Sequence, residues 1–455
     1  MGPRKLIRTL LCALALTLLG AAVATAAAPK GSGNEPFFPH AGDRGYNALH
    51  YHVRLVYSRS GRVKAVMAMR ARALTRLHAL KLDLDGLDVS QVKVDGGGEH
   101  FSRGHDKLVI HLLDPIPKGE KLKVAVYYGG RPRTIIDPDG SAEGWYPTAD
   151  GAFGVGEPEG TAAWLPCNNV PADKASFEAE LIVPDGLNAV SNGRLTKVSR
   201  EPGRRDFHWV EDSPMSTYLA VVDIGRGRLV HAPIAGHPGW TIVDPRLARG
   251  SHRPLARLPE IIRFESSIYG PYPFAAAGSI VDYAPKLGYA LETQSRPIYP
   301  YAPDVTTVVH ETAHQWFGDS VGLKRWPDIW LNEGFATWTQ WYYAERHGGR
   351  TAAAIFRRLR RVPASDKAFW NPPSGRPGKP QHLFGTSVYV RGAMTLQALR
   401  QKVGTKAMLA TLREWASSHR HSSGNTAEFI ELAEEVSGKN LEPLFQHWLF
   451  KRGKP

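Results

Sequence analysis

The 455-residue sequence predicts a multidomain α+β protein, in which an N-terminal antiparallel β-sandwich-like domain precedes a mainly helical domain. Up to about residue 225, short runs with period-two alternation or β-branched residues are separated by Gly, Pro and Asp clusters. This pattern is typical of the strands of a sandwich or barrel. After about residue 254, the apolar spacing and the capping residues become those of helices. The length is sufficient for two or three domains.

Residues 1–26 are predicted to be a cleavable signal peptide. Three basic residues precede the apolar run LLCALALTLLGAAVATA, which ends in small residues typical of a cleavage site. An uncleaved membrane anchor is the alternative, because the run approaches the ~17 to 20 residues that span a bilayer. Residues 27–46 are expected to form a flexible segment. We therefore expect a protein that is secreted or periplasmic and is not stably inserted in a membrane.

The β domain is placed at residues 47–228. Its predicted strands are the segments 51–57, 63–74, 107–113, 121–128, 177–183 and 217–224.

The helical domain is placed at residues 229–455. Asp304 is expected to be the N-cap of a helix that carries the letters HETAH, and the helix that begins near PDIWLNE is expected to end at Gly348. Asn425, with Glu428 three residues later, predicts a capping box on a helix that ends at Gly438.

Charge and cysteine content limit the binding partners and the cross-links that the chain can have. The formal net charge is +14, or +11 without the three basic residues of the predicted signal peptide. The basic residues are scattered, and the densest run is 357–361, so a solvated basic surface is favoured over nucleic-acid binding. Cys167 is the only cysteine after the signal peptide, which excludes an intramolecular disulfide; a buried packing role is expected for it.

The segment HETAH predicts a metal site. His310 and His314 are four residues apart, so on a helix both imidazoles project from one face and can bind one Zn²⁺. The alternative is that the two histidines are ordinary packed polar residues. Glu333 follows His314 after 18 residues, on a second predicted helix, and can supply the third ligand while a fourth position stays open for water. Glu311 is placed to act on that water. One Zn²⁺ per chain is therefore expected.

The segments HETAHQWFGD and WPDIWLNEGFATW resemble the aminopeptidase N family of zinc metallopeptidases, whose pattern is HExxH, 18 residues and Glu. Further segments resemble this family: WLPCNNVPADKASF (164–177), YGPYPF (269–274), YVRGA (389–393) and the final FQHWLFKRGKP. The resemblance implies a thermolysin-like zinc peptidase domain at 229–455. It also implies a short form of the family that lacks the C-terminal helical domain, so we expect an open cleft that admits longer peptides.

The resemblance also implies roles for individual residues. Glu311 would be the general base toward the zinc-bound water that attacks the peptide carbonyl. Tyr389 would donate its hydroxyl to the oxyanion that forms, although a packing role at a helix start is the alternative. Glu292, in YALET, matches the family glutamate that binds the free α-amino group, while its neighbours differ from the family's Gly-x-Met-Glu-Asn. Glu157 matches a second amine-binding glutamate, with a solvated loop acid as the alternative role and Glu159 as the alternative residue.

The leading prediction is thus a secreted zinc aminopeptidase that hydrolyses N-terminal residues from peptides with a free N-terminus. One alternative is a zinc endopeptidase of the thermolysin type, for which an amine-binding Glu292 would serve no purpose. Another is a protein that attaches to anionic surface polymers through a basic β domain and holds a non-catalytic metal. Structural zinc sites usually have four protein ligands, whereas this sequence offers three. Nothing in the sequence indicates an oligomeric state.

Overall fold

A computed structural model describes residues 35–104 and 106–455. The predicted signal peptide lies outside the described residues, as does the start of the 27–46 segment. Residues 35–46 of that segment make contacts with the helical half of the chain. The carboxylate of Glu35 accepts a hydrogen bond from the Trp326 amide at 3.0 Å, and Phe38 lies edge-on to the Trp326 ring, 6.4 Å between ring centroids.

The predicted β domain is confirmed as a β-rich N-terminal half. Its strands are β1 (Tyr46–Tyr57), β2 (Val63–Ala73), β3 (Leu77–Asp83), β4 (Asp88–Val94), β5 (Gly97–Gly98), β6 (His100–Arg103), β7 (Lys107–Ile116), β8 (Lys121–Gly130), β9 (Thr134–Ile136), β10 (Ala142–Pro147), β11 (Ala152–Val155), β12 (Lys174–Pro184), β13 (Asn188–Ser191), β14 (Arg194–Glu201), β15 (Arg204–Ser216) and β16 (Val222–Gly225).

Three sheets make up this half. The largest has the order β14-β15-β12-β1-β2-β8-β4-β5, and the others have the orders β13-β16-β11-β10-β9 and β3-β7-β6. The pairs are antiparallel except that β1 runs parallel to β12. Along β2 every second residue is buried, so the alternation in the sequence corresponds to one face of the strand packing on the core, as expected for a sandwich-like layer.

The strand predicted at 217–224 is wrong over its first half. Residues Thr217–Leu219 form a 3₁₀ turn, and only β16 continues as a strand. The reason is tertiary contact, because the Tyr218 ring packs on Trp326 of the second half at 5.1 Å, and the Leu219 carbonyl accepts a hydrogen bond from Asn192. These contacts replace the cross-strand hydrogen bonds that a strand would need.

The second half is mainly helical, as predicted. Its helices are α1 (Ala248–Leu255), α2 (Leu258–Tyr269), α3 (Val305–Ala313), α4 (Trp330–Arg346), α5 (Ala352–Leu359), α6 (Lys367–Trp370), α7 (Gly392–Val403), α8 (Thr405–Ser418), α9 (Thr426–Ser437) and α10 (Glu442–Phe445). The Asp304 carboxylate accepts from the Thr307 amide at 2.7 Å, and Asn425 forms the predicted capping box with Glu428. Among the described residues, no helix is both long and apolar enough to cross a bilayer.

The helical half also contains strands that the sequence reasoning did not predict. They are β17 (Arg228–His231), β18 (Gly239–Val243), β19 (Ala277–Val281), β20 (Ile298–Tyr299), β21 (Val321–Leu323) and β22 (Ser422–Gly424). The first four form one sheet, in which β18, β19 and β20 are parallel. The predicted domain boundary after residue 228 falls in β17, at the edge of this sheet. Buried apolar side chains of both halves form one continuous core.

Candidate active site

The three predicted metal ligands meet where α3 packs against α4. His310 lies in the last turn of α3, His314 is the residue after that helix, and Glu333 is in the first turn of α4. One carboxylate oxygen of Glu333 lies 3.2 Å from Nε2 of His310 and 3.5 Å from Nε2 of His314. One ligand atom from each residue lies within 4.8 Å of the other two. The helical spacing of four residues therefore brings both imidazoles to one carboxylate.

The chemistry of these donors fits zinc. Two imidazole nitrogens and a carboxylate oxygen are the ligand types that catalytic zinc takes, with one coordination position left open. Burial disfavours the charged forms of both His314 and Glu333. The carboxylates of Glu333 and Glu292 nevertheless raise the pKa of His314 well above its ordinary value. Against the same burial, His314 and His310 lower the pKa of Glu333 to about 2. The site thus favours a positive charge between these side chains.

Backbone and ring contacts orient the two imidazoles. Nδ1 of His314 lies 3.1 Å from the carbonyl oxygen of Phe317, to which it can donate, leaving Nε2 free for a metal. The His310 ring lies nearly parallel to the Tyr389 ring, with 6.0 Å between centroids and 17° between planes. Among the described residues, the contact with Phe317 thus orients the His314 ring, whereas Nδ1 of His310 is buried without a hydrogen-bond partner.

Glu311 is the predicted proton acceptor, and it lies in the same cavity as the predicted metal ligands. It follows His310 on α3 and is buried, 5% exposed. Burial raises the pKa of Glu311 well above its ordinary value, and the nearby carboxylates of Glu292 and Glu333 add to this effect although His314 opposes it. A buried carboxyl group whose pKa is raised holds a proton more readily than a free one, as a proton acceptor requires.

Glu292 and Glu157 present free carboxylate oxygens. They come from different halves of the chain, and one oxygen of each is buried without a hydrogen-bond partner among the described residues. Burial raises the pKa of both groups, and each carboxylate lies near that of Glu333. Buried carboxylate oxygens that lack partners are costly unless a donor or a positive charge meets them. This pair therefore suits an ammonium group.

Tyr389 reaches the site from a π-helical turn, Ser387–Arg391, that leads into α7. Arg391 is fully buried and fixes this turn by donating to the carbonyl oxygens of Trp448 at 2.6 Å and Trp370 at 2.7 Å. The π-helical turn and its buried arginine hold Tyr389 at the edge of the metal ligands.

One cavity of about 380 Å³ contains all of these groups. The residues that were singled out from the sequence all line it, namely Glu157, Glu292, His310, Glu311, His314, Glu333 and Tyr389. Glu159 does not line this cavity; its amide donates instead to the carboxylate of Glu143 at 3.1 Å.

Sequence reasoning missed several walls of the cavity. Asp139 and Ser141 come from the turn between β9 and β10, while Tyr301 and Phe384 supply aromatic rings. The sequence contains two indirect signals for these wall residues. Phe384 precedes Tyr389 by five residues, and PDG at 138–140 marks a turn.

Known proteins share both halves of this arrangement. Residues 47–219 match the peptidase M1 N-terminal domain, and residues 292–448 match the peptidase family M1 domain. A leucyl aminopeptidase of Saccharolobus solfataricus is 24% identical over 331 residues, covering 64% of this chain and 40% of that protein. A probable aminopeptidase of Sulfurisphaera tokodaii is 23% identical over 420 residues, covering 83% of this chain and 50% of that protein. The chain thus spans half or less of the length of these relatives.

Solved structures agree over more of the chain. An M1 zinc metallopeptidase from Deinococcus radiodurans superimposes with a TM-score of 0.85 at 28% identity, covering 93% of this chain and 98% of that one. A variant of the same enzyme bound to a Tyr-Ser-Ala substrate also gives a TM-score of 0.85. These matches confirm the resemblance drawn from the sequence motifs, the α+β fold and the expectation of one zinc ion as cofactor. The chain therefore belongs to the M1 family of zinc metallopeptidases.

Proposed function

We propose that this chain is a zinc aminopeptidase that removes N-terminal residues from peptides with a free amine. The observation that supports it best is the pair of buried, partly unpartnered carboxylates, Glu292 and Glu157, in the same cavity as the metal ligands. The ammonium group of a peptide's first residue can pair with both oxygens. This contact would place the first peptide bond, and no later one, beside the metal ligands.

His310, His314 and Glu333 would hold the zinc ion, which supplies Lewis-acid chemistry to the scissile carbonyl and makes water acidic enough to react near neutral pH. Glu311 accepts a proton from the attacking water and returns it to the leaving amine. The Tyr389 hydroxyl donates a hydrogen bond to the oxyanion that develops on the carbonyl oxygen. These roles are supported by the presence of all of these side chains in one cavity.

The two alternatives from the sequence are less well supported. An endopeptidase would have to bury an uncharged part of its substrate against Glu292 and Glu157, which leaves two carboxylates without a positive partner. A purely structural metal site would normally be closed by a fourth protein ligand. Here the three ligands face a cavity that also contains a buried proton acceptor, Glu311.

We also propose that the protein acts outside the cytoplasm, after removal of residues 1–26. Support for this comes from the sequence pattern alone. Fractionation of expressing cells and N-terminal sequencing of the exported protein test it, and an exported chain that begins at Ala27 is the expected result.

The catalytic proposal is tested with the mature chain and a panel of aminoacyl amides of a fluorophore, with and without a chelator. Fluorophore release from free-amine substrates is expected, with loss in chelator and recovery on adding Zn²⁺. An N-acetylated copy of the best substrate and the Glu311→Gln variant should both be inactive. Cleavage of the acetylated substrate would favour the endopeptidase, and absence of all cleavage would contradict the proposal.

A further inference from the structure

The cavity carries more negative charge than the proposed reaction uses. Five carboxylates line it, those of Asp139, Glu157, Glu292, Glu311 and Glu333, and no lysine or arginine of the described chain does. The reaction proposed above employs one as a metal ligand, one as a proton acceptor and two for the substrate amine. Asp139 is the carboxylate that has no role in the proposed reaction.

A tight turn fixes the place of Asp139. The turn joins β9 to β10, and the Asp137 amide donates to the Ser141 carbonyl while the Gly140 amide donates to the Asp137 carbonyl, both at 2.9 Å. One carboxylate oxygen of Asp139 accepts from the Ser141 amide at 2.9 Å and from its hydroxyl at 2.6 Å. Within residues 35–104 and 106–455, no ion pair involves the carboxylate of Asp139. Its second oxygen is therefore available to a ligand.

This turn is attached to the segment that carries the amine-binding glutamate. The Tyr289 hydroxyl donates to the carbonyl oxygen of Ala142, the residue after the turn, at 2.7 Å. Tyr289 precedes Glu292 by three residues, and both line the cavity. Asp139 and Glu292 therefore line the same cavity, in which a substrate bound at Glu292 would be held.

The rest of the wall suits a long basic side chain. Phe384 and Tyr301 line the same cavity with aromatic rings. Lysine and arginine have apolar stems that pack on such rings, and their charged ends interact favourably with aromatic faces. A carboxylate such as that of Asp139, in the same cavity as these two rings, is complementary to such a side chain.

We propose that Asp139 gives the enzyme a preference for substrates whose N-terminal residue is arginine or lysine, an inference that rests on the proposed aminopeptidase function. Because Asp139 is exposed to solvent, the pairing is that of a surface ion pair. We expect an advantage in kcat/KM of about two- to fivefold over an uncharged side chain of the same shape. The advantage should shrink as salt is added.

The test compares arginine with citrulline, its uncharged near-isostere, and lysine with norleucine, as N-terminal residues of fluorophore amides. The wild-type protein is compared with Asp139→Asn, which keeps the oxygen that Ser141 binds, and with Asp114→Asn. Asp114 is an exposed carboxylate on β7 that does not line the cavity. Equal thermal melting of the three proteins shows that each is folded.

The expected result is an arginine-to-citrulline ratio of about two to five in wild type and Asp114→Asn, falling to about one in Asp139→Asn. A ratio near one in wild type, or an unchanged ratio in Asp139→Asn, overturns the proposal. Release of alanine from alanyl-arginine and alanyl-citrulline tests the second position, and a basic preference confined to that position overturns the assignment to the first side chain. If no free-amine substrate is cleaved, the aminopeptidase function itself fails; cleavage without a charge preference refutes only the role of Asp139.

Discussion

Replacing Lys174 with methionine is expected to destabilise the contact between the two halves of the chain. Lys174 begins β12 in the first half and is 8% exposed. Its ammonium group donates to the carbonyl oxygens of Asp319 at 2.6 Å, Ser320 at 2.9 Å and Ser422 at 3.1 Å, all in the second half. An ammonium has three donors, so its geometry matches these three acceptors.

The expected loss follows from those three carbonyl groups. Methionine fills a similar volume but donates nothing, and a buried acceptor that loses its donor costs about 1 to 3 kcal/mol. Burial of the ammonium offsets part of the stabilisation that these hydrogen bonds provide, and it lowers the pKa of Lys174 to about 7. We therefore expect the lower end of the summed range, about 3 kcal/mol of unfolding free energy.

Urea unfolding followed by tryptophan fluorescence measures this loss, with zinc present throughout. Lys64→Met is the matched control, because Lys64 is an exposed residue of β2 with no partner in the second half. The control should stay within about 0.5 kcal/mol of wild type. If Lys174→Met also stays within that range, the three carbonyls do not depend on the ammonium and the reasoning is refuted.

Two further predictions concern residues of the cavity, and a third concerns the buried carboxyl group of Asp282. Glu292→Gln should lower kcat/KM on free-amine substrates about 10- to 100-fold, because a charge-assisted hydrogen bond is lost, and Glu159→Gln, outside the cavity, should not. Tyr389→Phe should lower kcat about 10²- to 10³-fold with little change in KM, as measured by steady-state kinetics. Burial raises the pKa of Asp282 from 3.8 to about 7, so this carboxyl stabilises the folded chain fully below about pH 4 and loses that contribution as the pH rises through 7. Asp282→Asn should flatten the dependence of unfolding free energy on pH between 4 and 8, by at most about 4 kcal/mol, and an unchanged profile would contradict this reading.

The metal ligands could be predicted because helical periodicity relates them. His310 and His314 are one turn apart, and Glu333 lies in the first turn of the next long helix, so local rules decide most of their geometry. The caps at Asp304 and Asn425 were predictable for the same reason, since a capping residue contacts amides only two or three positions away.

The walls of the cavity could not be predicted in this way. Asp139 reaches the site through a hydrogen bond between Tyr289 and Ala142, which are 147 positions apart in the chain. The same limit explains the error at 217–224, where Tyr218 packs on Trp326 of the second half instead of extending a strand. Period-two alternation reports which residues face a core, and it carries no information on which distant segment forms that core.

The buried carboxylates, more than the HExxH motif, support the proposal that the substrate is a peptide with a free N-terminus. Metal ligands and a proton acceptor suit hydrolysis of any peptide bond, and they would work equally well in an endopeptidase. Glu157 and Glu292 are buried beside Glu333. Burial raises the pKa of both groups and the charge of Glu333 raises each further, so their ionised forms are unfavourable until positive charge enters the cavity. A metal ion would offset the charge around Glu333, and a substrate that brings its own cation would favour the ionised forms of the other two carboxyl groups. Peptides with a free N-terminus bring that cation, and peptides that begin with arginine or lysine bring a second one for Asp139.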